Sequence, residues 1–209
     1  MKDMTLINVI FDKSGSMLTI SAEAVGMYNR FLAEQQALPD YAELSLIQFD
    51  DQYEEFCTCK PIKDCVPLVD GETYVPRGMT ALYDAVGRTI NKIGKRLKNL
   101  PEEERPARVL CIIITDGREN NSREYTDKVV KEMIEHQKTK FSWDFIFLAA
   151  GLNAFQEGRA FGMTADKCAT YSKSAGGLDE ANNAMGSYAT AFRSTGDTSA
   201  AVDNHDEEV

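Results

Sequence analysis

Several protein classes are excluded by what this chain has little of. Cations are scarce: 23 Lys and Arg stand against 33 Asp and Glu, a net charge of -10. Phosphate-backbone affinity comes from clustered Lys and Arg, so nucleic acid is not an expected partner. Long hydrophobic runs are missing too, and none approaches the about 20 apolar residues of a membrane helix. The N-terminus, Met1 to Thr5, leads straight into a strand-like run without the apolar core and small-residue cleavage site of a signal peptide. Together these features predict a chain that does not engage membranes and resides in the cytoplasm. Only two histidines occur, His136 on a predicted helix surface and His205 in the C-terminal tail, and neither is expected to have a functional role. A P-loop and a Gly-x-Gly-x-x-Gly phosphate loop are both absent.

Cysteine is present but odd in number: Cys57, Cys59, Cys65, Cys111 and Cys168. An odd set, with Cys111 inside a strongly apolar run, fits a reducing compartment. Cys57-x-Cys59 is too closely spaced for the usual paired zinc ligands, and no convincing fourth ligand follows Cys65. These thiols are therefore read as core residues, with Cys57 and Cys59 on one face of a strand.

What remains is an ordinary globular composition of 209 residues, 43% hydrophobic and 27% charged. Its length suits a single domain, read as residues 1–193. Residues 194–209 form an acidic tail, expected to be disordered, with Asp197, Asp203, Asp206, Glu207 and Glu208 and no cation. Leu6 to Phe11 reads as a buried strand ending at Asp12, and residues 18–38 as a helix closed by Pro39. Residues 42–62 read as a hairpin around Asp50-Asp51-Gln52. Leu82, Ala85, Val86, Ile90, Ile93 and Leu97 mark one face of an amphipathic helix. Val109 to Ile114 is continuously apolar, as in a strand buried on both faces. A helix over 125–138 follows, with Val129, Val130, Met133 and Ile134 inward. Then come a strand over 143–150, a short edge strand over 167–172 and a helix over 178–192. Alternation of strands and helices predicts an α/β fold of Rossmann-like, doubly wound type: a mostly parallel central sheet with helices on both faces.

Three polar clusters fall where strands should end: Asp12-x-Ser14-x-Ser16, Thr80, and Asp116. In an open α/β sheet the carboxyl ends of the strands line the ligand crevice. Two carboxylates and three hydroxyls are hard oxygen donors of the kind Mg²⁺ prefers, with Mn²⁺ or Ca²⁺ as alternatives. The two acids would balance the ion's charge, leaving it able to attract an outside carboxylate. No Cys or His stands in the set, which disfavours Zn²⁺ and Cu²⁺. Taken singly, Ser14, Ser16 and Thr80 could each cap a helix. Asp84 reads as a favourable acid in a helix's first turn.

These segments resemble a known family. Asp12-Lys13-Ser14-Gly15-Ser16-Met17 is similar to the Asp-x-Ser-x-Ser signature of von Willebrand factor A (VWA) domains. Gly78 to Ala85 resembles that family's threonine segment, and Thr115 to Asn120 its final aspartate loop. Order and spacing agree over about residues 5–193. The resemblance implies a metal-ion-dependent adhesion site (MIDAS), with Asp12, Ser14, Ser16 and Thr80 as ligands and Asp116 binding directly or through water. It also implies one antiparallel edge strand, which the 42–62 hairpin could supply. In size the chain is similar to the small stand-alone bacterial or phage versions of the domain. The expected function is a divalent-metal-dependent protein-binding module whose partner presents a Glu or Asp carboxylate, and not an enzyme. The competing expectation is a Mg²⁺-dependent phosphatase or phosphotransferase with Asp12 as nucleophile. Ser14 stands where such enzymes usually carry a second acid, and Arg77 and Arg118 are phosphate-clamp candidates by proximity alone.

Overall fold

The computed structural model describes residues 4–150 and 158–196. Six strands form one sheet: β1 (Thr5–Asp12), β2 (Ala42–Phe49), β3 (Tyr53–Pro61), β4 (Arg108–Thr115), β5 (Asp144–Ala150) and β6 (Cys168–Tyr171). Their order is β3-β2-β1-β4-β5-β6, parallel throughout except for β3, which runs antiparallel at one edge. Among the described residues, α1 (Ser21–Ala37), α2 (Leu82–Asn99), α3 (Asp127–Phe141) and α4 (Ala175–Thr195) flank the sheet. The expected doubly wound architecture and its antiparallel edge are both present.

The continuous apolar runs become the central strands because both of their faces are covered. Ile7, Val9 and Phe11 of β1 join Leu110, Ile112 and Ile114 of β4 under α1 and α4. Leu6 and Ile10 join Val109, Cys111 and Ile113 on the other face, beneath α2 and α3. Each such side chain, removed from water, contributes about 1.5–3 kcal/mol before chain entropy is charged against it. Helix α1 ends where the sequence requires: Leu38 is extended (φ -71, ψ 143), the conformation that a following proline imposes. Helix α4 begins at Ser174, whose hydroxyl accepts the Gly177 N–H, and ends at Gly196 with φ +78.

Two local expectations are corrected. Cys57 and Cys59 do not share a face: Cys57 packs toward α1, whereas Cys59 lies in the cluster beneath α2. The β2–β3 register shifts around Leu46, and Cys59 takes φ 45, so a bulge reverses the alternation there. On α3, Val130 and Ile134 are buried and Met133 is half-buried, but Val129 is 42% exposed. Of the expected tail, residues 194–209, Ser194 and Thr195 instead close α4, and the residues from 197 onward, with His205, lie outside the described residues.

Strand β1 pairs with β2 on one side and β4 on the other. The chain thus winds outward from β1 in both directions, and connections leave the β1 and β4 carboxyl ends toward opposite faces. Asp12 closes β1, and Asp116 directly follows β4. This is the switch point at which an open α/β sheet forms its crevice.

A candidate metal site at the β1–β4 switch point

Asp12 is fully buried. Its Oδ1 accepts the Ser14 backbone N–H at 2.6 Å, and its Oδ2 accepts the Thr115 hydroxyl at 2.6 Å. Burial pushes the Asp12 carboxyl up to about 6, against the opposing pull of the Thr115 and Ser14 hydrogen bonds; the Asp116 charge adds to the rise. The carboxylate is therefore held in a place that disfavours its own charge. The backbone beneath is fixed as well. Tyr74 donates its hydroxyl to the Asp12 carbonyl at 2.5 Å, and Tyr171 donates to the Thr115 carbonyl at 3.0 Å.

Ser16 donates to Asp116 Oδ1 at 2.5 Å, and the Ser14 and Ser16 hydroxyls lie 3.0 Å apart. Thr80 joins them from the loop before α2. A Cβ placed on Gly117 would sit 3.3 Å from both Ser16 Oγ and Thr80 Oγ1, and 3.9 Å from Ser14 Oγ. All three hydroxyls thus surround one point beside Asp116. The Thr80 loop is held there by two bonds to Asn120 (Thr80 N–H to Asn120 Oδ1 at 2.9 Å, Asn120 N–H to the Thr80 carbonyl at 3.0 Å). Gly15 N–H to the Gly78 carbonyl and Arg77 N–H to the Lys13 carbonyl tie the same loop to the first motif. Gly78 takes φ +66, and a Cβ there would meet Asp51 Oδ1 at 2.4 Å, so only glycine fits this turn.

All five residues named from the sequence are therefore brought together. Helix capping does not account for them. Ser14 precedes the short 3-10 helix Gly15–Ile20 without a capping side-chain bond, and the residue capping α2 is Ala81, not Thr80.

The donor set fits a hard divalent cation. Asp116 Oδ2 is buried and accepts no hydrogen bond from the described residues; the Lys173 ammonium lies 2.7 Å from it as an ion pair. A buried carboxylate oxygen met only by Coulomb attraction, beside a second acid held up by burial, is a place where added positive charge is welcome. Among the described residues no three His, Cys, Asp or Glu side chains gather to hold a metal. A cation here would depend on the hydroxyls, and the cysteines offer no alternative centre.

Other acids near the crevice are scaffolding. Asp84 accepts the backbone N–H groups of Arg123, Glu124 and Tyr125 at 2.9–3.0 Å. It organises the loop after Asp116, a more specific job than the dipole role read from its position. Glu119 accepts from Tyr83, Asn121 and Ser122 backbone N–H groups. Arg77, a phosphate-clamp candidate by sequence, is paired with Asp50 and Glu54. Sequence reasoning missed Tyr74, Thr115, Gly117, Tyr171 and Lys173. Thr115 and Gly117 flank Asp116 and so carried a signal; the two tyrosines and the lysine carried none.

Solved structures share this architecture at low identity. Proximal thread matrix protein 1 from the mussel byssus, a structure with a zinc-occupied MIDAS motif, is 17% identical over 87% of this chain, with a TM-score of 0.57. A von Willebrand factor type A protein from Catenulispora acidiphila is 15% identical over 88% of it, with a TM-score of 0.54. Manganese-loaded TRAP protein from Plasmodium vivax is 15% identical over 87%, with a TM-score of 0.55. This chain spans 44%, 42% and 71% of those chains, respectively. No protein-family model matches the sequence, and no curated protein does. The chain has the von Willebrand factor A-type fold.

Proposed function

We propose that this domain holds one divalent cation between Asp12, Ser14, Ser16, Thr80 and Asp116 and uses it to bind a Glu or Asp side chain of a partner protein. The observation carrying this reading is the convergence of three hydroxyls on one point beside Gly117, with Ser16 bonded to the buried Asp116 and the Ser14 N–H to the buried Asp12. When bound, the ion supplies a positive, oxygen-seeking centre. Mg²⁺ is the expected ion because every donor is a hard oxygen; Mn²⁺ and Ca²⁺ are the alternatives. The chain's own part is to pre-position that set: Thr115 and the Ser14 N–H orient Asp12, Asn120 holds the Thr80 loop, and Ser16 orients Asp116. The mussel structure, with its zinc-occupied MIDAS motif, and the manganese-loaded Plasmodium protein support a divalent cation in a fold of this kind.

Binding rather than turnover is favoured by what surrounds Asp12. A phosphotransferase would need a second acid and a cationic clamp. Ser14 occupies the expected acid position, and Arg77 is turned to Asp50 and Glu54. Five free thiols support a reducing compartment, hence the cytoplasm.

Capture of partners from source-cell lysate tests the proposal, using the wild type in Mg²⁺, the wild type in EDTA, and Asp12→Ala in Mg²⁺. A protein retained only in the first arm is expected. Retention that ignores both EDTA and the substitution would overturn it, as would Mg²⁺-dependent release of phosphate from phosphomonoesters that Asp12→Ala abolishes.

A further inference from the structure

Lys173 stands two residues beyond β6 and immediately before Ser174, the residue that caps α4. It is 57 residues from Asp116 in sequence, yet its Nζ lies 2.7 Å from Asp116 Oδ2. The pair is lopsided: the Asp116 side chain has no solvent exposure, whereas that of Lys173 is 40% exposed. Of the two Asp116 oxygens, Oδ1 is taken by the Ser16 hydroxyl, and Oδ2 is met, among the described residues, by the ammonium alone. A single positive charge on a flexible stem therefore occupies the carboxylate oxygen that a divalent ion would need.

We infer that Lys173 is a built-in competitor for the divalent ion, a tethered monovalent cation that holds Asp116 in the metal-free protein and must withdraw for metal to bind. This rests on the metal-binding reading above. Three physical points support it. An ammonium and a doubly charged ion repel one another and cannot share one buried carboxylate oxygen. The lysine can leave at small cost, because its partly exposed stem lets the ammonium regain water. The ammonium also compensates Asp116 while the site is empty, which a buried acid requires. Metal affinity is then set by a difference: the ion's attraction to the oxygens minus the lysine's. The tether raises the divalent concentration at which the domain becomes competent to bind a partner.

The test compares Mg²⁺ and Mn²⁺ affinity by titration calorimetry in the wild type, Lys173→Met and Lys173→Arg. Methionine keeps an unbranched stem and loses the charge; arginine keeps the charge. Lys173→Met is expected to bind either ion about 5- to 30-fold more tightly, while Lys173→Arg stays within about threefold of the wild type. A second readout is the rate of reductive methylation of Lys173, followed by mass spectrometry. Added Mg²⁺ is expected to speed it in the wild type and leave it unchanged in Asp12→Ala. Equal or weaker ion binding by Lys173→Met, with the wild type binding normally, overturns this inference alone. Failure of both the wild type and Lys173→Met to bind either ion overturns the metal reading and this inference with it.

Discussion

Replacing Asp12 with asparagine should make the metal-free protein more stable, the opposite of the usual effect of altering a buried, hydrogen-bonded residue. The carboxyl rises from 3.8 to about 6 on folding because burial penalises its charge. The folded state thus binds its proton more tightly than the unfolded state, and this contribution is full below about pH 4. It is lost as pH climbs through about 6. Two pKa units correspond to about 3 kcal/mol, carried as a penalty by the metal-free wild type at pH 7.5. Asparagine removes the charge and keeps the shape. Its Oδ1 can accept the Ser14 N–H, and its Nδ2 can donate to Thr115 Oγ1, whose own proton remains available to the Gly117 carbonyl 3.0 Å away. The expected gain is about 1–3 kcal/mol, or a rise of roughly 2–10 °C in Tm for a chain of this size. Urea and thermal unfolding in EDTA at pH 5 and pH 7.5 would measure it. The wild type should lose stability between those two pH values, and Asp12→Asn should lose much less. With saturating Mg²⁺ the order should reverse, because only the wild type gains binding energy. Should Asp12→Asn prove less stable than the wild type in EDTA at pH 7.5, the description of Asp12 as a strained, charge-seeking acid would be wrong.

Thr115→Val removes the hydroxyl donated to Asp12 while keeping the side chain's shape, and should lower Mg²⁺ affinity about tenfold and stability by about 1–2 kcal/mol, checked by calorimetry and urea unfolding. Gly117→Ala places a methyl 3.3 Å from Ser16 Oγ and Thr80 Oγ1, and should weaken Mg²⁺ binding at least tenfold while changing Tm little. Arg193→Met tests the α1–α4 contact instead. Its buried guanidinium donates to Asp40 Oδ2 and carbonyl and to the Gln35 carbonyl. Loss of those donors should cost about 2–4 kcal/mol in urea unfolding without changing metal affinity per folded molecule.

The strands were legible because their burial is two-sided: Val109 to Ile114 is apolar throughout and Leu6 to Phe11 is apolar but for Asn8, and a central sheet position accommodates that. The first-motif residues were legible because Asp-x-Ser-x-Ser is local, and Thr80 and Asp116 because each sits at an element boundary. What could not be read depends on geometry with no local sequence signature. The bulge at Cys59 comes from a register shift against β2 and not from a glycine. Val129 faces solvent because α3 meets the sheet along Val130 and Ile134, so one helical step separates a core residue from an exposed one. Asp84 turned out to bind three consecutive backbone N–H groups about forty residues away in the chain, a contact that the position of an acid in a first helical turn does not announce. Tyr74 and Lys173 reach the site from loops whose paths are set only once the sheet has formed.

The most direct measurement is a calorimetric titration of the wild type and Asp12→Ala with Mg²⁺ and with Mn²⁺ at pH 7.5, with circular dichroism to verify that both are folded. One ion per wild-type chain, and none for a folded Asp12→Ala, is the predicted result. A wild type that releases no heat above buffer with either ion, or a variant that binds as the wild type does, would contradict it.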